Sequence, residues 1–200
     1  MFIQVIQGKT KDAEGLRRQF DSWTQEVGPG TKGWLGTTGG IAEDGTVIVL
    51  ARFEDEAAAR ANSDRPEQGN WWNETAKYFD GEPTLLDTTD TETTLAGGSD
   101  TAGFVQVMQG RVKDKAKLQQ LEKEWLPKMT EARPDVIGSV RAWQGNEFTE
   151  ALYFTSEAEA RKGEASMSES GGDADMAEYM ALLDGEITYI DLKDPILRSP

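Results

Sequence analysis

Phe2-Ile3-Gln4-Val5-Ile6-Gln7-Gly8 opens the chain, and Phe104-Val105-Gln106-Val107-Met108-Gln109-Gly110 repeats it 102 positions later (104 minus 2). The match continues without a gap: Lys11-Asp12 answers Lys113-Asp114, Leu16 answers Leu118 and Trp23 answers Trp125. Self-similarity over this length means that one structural unit is built twice. In a chain of 200 residues that gives two units of about a hundred each, an ordinary domain size.

Each copy can be parsed outward from its opening strand. In Phe2–Gln7, β-branched residues alternate with others, so Ile3 and Val5 share one face and Phe2, Gln4 and Ile6 the other. Asp12 is a good helix N-cap, and Leu16, Phe20, Trp23 and Val27 then form one helical stripe. Gly28-Pro29-Gly30 ends that helix. Strands are expected at residues 33–41 and 46–53, on either side of a turn at Glu43-Asp44-Gly45. A short helix at 57–61, a polar break at 63–69, a helix at 70–79 and a strand at 84–88 complete the unit. The order strand–helix–strand–strand–helix–strand is the ferredoxin-like βαββαβ plan. Residues 1–88 form the first half and 103–192 the second. Residues 89–102, rich in Thr, Asp and Gly, read as a linker, and 193–200 as a tail. The fold class is α+β. Two open sheets, each with helices on one face, bury their bare faces by packing sheet to sheet as an intrachain α+β barrel. Ile3/Val5 and Val105/Val107 are expected to face the helices, and Phe2/Gln4/Ile6 and Phe104/Gln106/Met108 the space between the sheets.

Composition excludes several chemistries. The chain has no Cys and no His, so thiol nucleophiles, Cys/His zinc sites and His-dependent triads are out. A net charge of −15, acidic in both halves, argues against nucleic acid and anionic membranes as partners. There is no apolar run of transmembrane length and no signal-peptide pattern at the start, so a cytoplasmic protein is expected. No metal site is expected: Gly171-Gly172-Asp173-Ala174-Asp175 lacks the ligand series of a calcium loop.

Candidate ligand-binding residues follow from the pattern. Gln4 and Gln106 sit mid-strand on a face that should be buried. They either orient a ligand or hydrogen-bond each other or a trapped water. Phe2 and Ile6 share that face. Adjacent helical residues point about 100° apart, so Trp71 and Trp72 cannot both enter one core. One of them is free to wall a pocket. With no Trp pair in the second half, the first is expected to hold the better pocket. Arg52 could pair with a ligand anion or an acidic neighbour.

The doubled unit, together with Glu56-Ala57-Ala58-Ala59-Arg60, the Ser/Asn break and the aromatic helix at Asn70-Trp71-Trp72, resembles the dimeric α+β barrel superfamily, in particular its antibiotic biosynthesis monooxygenase branch. The resemblance covers nearly the whole chain, once per half. It implies a fused pseudo-dimer within one chain, with further homodimerisation open. It also implies a small apolar or aromatic ligand and oxygenase chemistry without a cofactor, on aromatic or polyketide-type substrates. The alternatives are a non-catalytic, binding or stress-associated barrel holding a small hydrophobic ligand, and a scaffold whose interior is filled by side chains. The cofactor-free enzymes use Asn, Trp and Tyr around a hydrophobic cavity, which points to Asn70, Trp72 and Tyr78 as catalytic candidates. Asn70 is as readily an N-cap. The haem-degrading branch needs a His that this chain lacks.

Overall fold

The computed structural model describes residues 1–169 and 174–200. Residues 171–173, the Gly-Gly-Asp of the stretch compared with a calcium loop, lie outside the described residues. The chain divides into two compact units, Met1–Thr91 with Asp194–Pro200, and Glu92–Lys193.

The first unit runs β1 (Phe2–Lys9), α1 (Ala13–Ser22), β2 (Trp34–Ile41), β3 (Thr46–Phe53), α2 (Glu56–Ser63), α3 (Pro66–Thr75) and β4 (Thr84–Thr88). Asp12 caps α1, its carboxylate accepting from the Gly15 amide at 2.8 Å. The stripe continues past α1 as a π-turn over Trp23–Val27. Gly45, with φ at +80°, makes the β2–β3 turn, where its amide donates to Ala42 and its carbonyl accepts from Thr10.

The second unit is entered through β5 (Thr91–Leu95). It continues as β6 (Phe104–Arg111), α4 (Lys115–Ala132), β7 (Val136–Gln144), β8 (Glu147–Phe154), α5 (Glu157–Glu169), α6 (Ala174–Leu182) and β9 (Thr188–Leu192), and β10 (Ile196–Arg198) follows. Asp114 repeats the Asp12 cap. Helix α4 carries Pro127 inside it without ending there.

The two sheets have the orders β10-β2-β3-β1-β4 and β5-β7-β8-β6-β9. Equivalent strands pair in the same register, Phe2 opposite Phe53 and Phe104 opposite Phe154. Both second strands carry a bulge in the same place, between Trp34 and Gly36 and between Val136 and Gly138. The chain is therefore two tandem ferredoxin-like repeats.

Two expectations need correction. The sheets have five strands rather than four, because Thr91–Leu95, read as linker, forms an edge strand of the second sheet and the tail residues Ile196–Arg198 pair with β2. The faces are also reversed. Ile6 packs with Leu16 and Phe20 of α1, and Met108 with Leu118 and Leu121 of α4, so the Phe2/Gln4/Ile6 and Phe104/Gln106/Met108 faces meet the helices. Both faces of these strands are apolar, so alternation gave the pairs of faces and not which pair the helices cover. Among the described residues, no helix is long and apolar enough to cross a membrane.

Candidate functional site

Between the helix-covered face of the second sheet and helices α4, α5 and α6 lies a cavity of about 760 Å³. The equivalent space in the first repeat is about 70 Å³. The difference can be traced residue by residue along the internal repeat. In the first repeat, Trp23 and Trp34 meet edge to face at 4.9 Å, and Trp71 closes on Phe20 and Trp23, each at 6.4 Å. In the second, Trp125 keeps the place of Trp23, but Val136 replaces Trp34 and Met176 stands where Trp72 does. Two of the rings that fill the first repeat, Phe20 and Trp34, give way to Glu122 and Val136 in the second, and the space stays open. The larger cavity is thus in the half opposite to the one expected.

The walls of the cavity are apolar in the middle, from Met108, Trp125, Leu126, Met129, Leu152 and Phe154. One end is an ionic cluster centred on Arg141 of β7. Its Nε donates to Glu150 at 2.9 Å, and Nη2 donates to Glu150 at 2.7 Å and Glu122 at 2.6 Å. Nη1 donates to Glu122 at 2.7 Å and Glu92 at 3.3 Å. A guanidinium has five N–H groups, and here all five are used. Glu92 also accepts from the Trp143 indole at 2.9 Å and from Gln119. Arg141 lies over the rings of Trp143 and Phe148 at 5.3 and 5.5 Å.

The same positions in the first repeat hold Phe20 for Glu122, Gly39 for Arg141 and Val49 for Glu150. An apolar version of this corner therefore folds in the same chain. Taking ions out of water costs several kcal/mol each unless the geometry repays it. The fold does not require the cluster, so its charges belong to the cavity.

Burial pushes the Glu122 carboxyl above its usual range, and Arg141 only partly offsets this. Burial pulls the Arg141 guanidinium down, but the charges of Glu150 and Glu122 outweigh it and hold the group well above its ordinary value. Tyr179, whose ring lies 6.0 Å from that of Trp125, has its phenol pushed far up by burial and by the charge of Glu150. It stays a neutral donor at any physiological pH. Glu122 and Tyr179 thus place a carboxyl of raised basicity and a neutral phenol beside one apolar space.

The other end of the cavity repeats what the first half has. Gln106 donates to Asp191 at 3.0 Å, just as Gln4 donates to Asp87 at 2.9 Å. Each glutamine is held by an acid on its neighbouring strand. Arg161 adds ion pairs to Asp191, Glu164 and Glu157.

The residues named from the sequence are dispersed. Gln106 lines the large cavity; Gln4, Ile6 and Trp71 line the small one. Trp71 donates its indole N–H to the Gln19 carbonyl at 2.8 Å. Trp72 and Tyr78 pack with Leu16, Val47, Val49 and Phe79, and Phe2 packs with Trp34 and Phe53. Asn70 is exposed in the middle of α3, which starts at Pro66, so it is not the N-cap. None of Asn70, Trp72 and Tyr78 lines either of these two cavities. Arg52 is buried beside Ile3 and Gly36, on the face away from Gln4, and its Nε has no hydrogen-bond partner among the described residues. The residues that sequence reasoning missed are Glu122, Arg141 and Glu150. The signal was available: a charged residue in one copy where the other has an apolar residue or glycine.

No protein-family pattern matches the chain, and no curated protein matches it. Solved structures do. A protein from Lactobacillus acidophilus described as a "putative monooxygenase" aligns with a TM-score of 0.71 at 10% identity, over 99% of each chain. One of the same description from Fusobacterium nucleatum gives 0.72 at 11% identity, over 99% of this chain and 94% of that one. A structure described as an anthrone oxidase-like protein gives 0.65 at 11% identity, over 99% and 92%. The chain has, over its whole length, the fold of these three structures, which is the tandem α+β arrangement that the resemblance implied.

Proposed function

We propose that the second repeat is the working half, and that it binds a small, largely aromatic molecule and oxygenates it without a cofactor. The observation that carries this reading is a cavity of about 760 Å³ with a partly buried carboxyl at one end, in a repeat whose twin fills the same space with rings. The volume is within the range of small-molecule sites. The descriptions of the three structures of like fold agree with the chemistry.

The substrate class is a hydroxylated aromatic ketone with an acidic C–H. Glu122 takes that proton, which its raised basicity favours. Tyr179 donates to the enolate oxygen, and the apolar walls keep water out. The carbanion so formed delivers electrons to dioxygen and combines with it as a hydroperoxide. Loss of water leaves a new carbonyl, so a CH2 group and O2 become C=O and H2O. Gln106, which lines the cavity, orients the ring system.

The test is oxygen uptake with a panel of hydroxylated anthrones and naphthols. Uptake is expected with at least one, and Glu122→Gln is expected to lower the rate by about 10²-fold or more, the usual worth of a general base. Saturable binding with no uptake across the panel would instead support the alternative, a binding protein for small hydrophobic ligands.

A further inference from the structure

The ionic end of the cavity also constrains the charge of what binds there. We infer that the ligand carries a positively charged nitrogen, a protonated amine attached to its aromatic body, seated against Glu92, Glu122 and Glu150. This deepens the reading of the cavity as a ligand site and does not depend on oxygenation.

Three carboxylates converge on one guanidinium, so the cluster is short of positive charge. All five N–H groups of Arg141 are already donated, which leaves that residue nothing to offer an anion. What remains at this end is carboxylate lone pairs, which accept from donors and attract cations. Trp125 and Tyr179, whose rings pack 6.0 Å apart, also line the cavity, and aromatic rings attract a neighbouring cation. Other basic groups on the wall do not reverse the argument. Arg161 is paired with Asp191 and Glu164, Arg133 is paired with Asp135, and Lys123 is exposed. The chain's net charge of −15 would speed the arrival of a cation and slow that of an anion.

The experiment is calorimetric titration of the full chain with three compounds of one shape: 2-naphthylmethylamine, 2-naphthylmethanol and 2-naphthoic acid. The amine is expected to bind about tenfold tighter than the alcohol or better, as a close charge pair in a sheltered site allows. The acid is expected to bind weakest. Raising the salt should shrink the amine's advantage over the alcohol, and Glu122→Gln should shrink it further. Equal binding of amine and alcohol, a preference for the acid, or no binding by any of the three would overturn the inference. Failure to consume oxygen would leave it standing.

Discussion

Replacing Arg141 with Met is the most informative single change. It removes five charge-assisted hydrogen bonds and strands Glu150, whose side chain is 6% exposed, and Glu122, at 24%. Adding up five bonds would overstate the effect, because water takes back part of each. Removing one partner of a buried ion pair costs about 3–5 kcal/mol. For a chain of this size 1 kcal/mol moves Tm by about 2–4 °C, so the expected drop at pH 7 is about 6–20 °C. The drop should be smaller near pH 4, where the stranded carboxylates take up protons. Removing all the central charges together, as Glu122→Leu, Arg141→Met and Glu150→Leu, should do the opposite. Apolar replacement of buried ionic clusters is often neutral or stabilising by about 1–4 kcal/mol, and the first repeat already folds with Phe20, Gly39 and Val49 at these places. Scanning calorimetry of the wild type and both variants at the two pH values decides it. If Arg141→Met lowers Tm by less than about 2 °C at pH 7, or if the triple variant melts as low as the single one, the cluster is not the fold-independent feature argued here.

Three further changes test other parts of the structure. Burial raises the folded-state pKa of Glu122, so the stability tied to its neutral form is complete at low pH and is lost as pH rises through that value. Glu122→Gln does not titrate, and its stability relative to wild type should therefore increase from about pH 4 to about pH 7 in urea melts; a difference that is flat or declines across that range would contradict this. Val136→Trp copies Trp34 into a site where Trp125 already stands in for Trp23, and it should abolish naphthylmethylamine binding in the calorimeter while leaving the chain folded by circular dichroism. At Gly15, an added Cβ would sit 2.3 Å from Asp12 Oδ2 and 2.3 Å from the Tyr78 ring. Gly15→Ala should therefore destabilise by about 1–3 kcal/mol despite alanine's better helix propensity, and a more stable variant would show that Tyr78 is free to move.

Much of the fold could be read from the sequence because the repeat showed each element twice. The Asp12 and Asp114 caps, the turn at Gly45 and the strand pairing all follow from local chemistry that recurs in both halves. The edge strand Thr91–Leu95 was missed because its Thr-rich composition also fits a linker, and what decides is pairing in the second sheet. The site was less legible. The Trp71–Trp72 pair points to pocket walls, yet Trp71 fills space in the first repeat, and the larger cavity lies in the second, beside Val136 and Met176. Arg141, Glu122 and Glu150 sit on three different elements, and only the register of β7 against β8 and the packing of α4 bring them together. What the sequence offered was a contrast between aligned copies, charged against apolar, and that contrast carries meaning only once the two are known to occupy the same place in the fold.

A ligand must enter the second repeat if that half is the working one. Methionine methyl resonances test it directly, because Met108, Met129, Met176 and Met180 all line the cavity and Met1 does not. Titrating 2-naphthylmethylamine into protein labelled at the methionine methyl groups should shift those four signals, with the ring currents of a bound aromatic, and leave Met1 in place. If none of the four moves at saturating ligand, or if Met1 alone responds, the cavity is not the binding site.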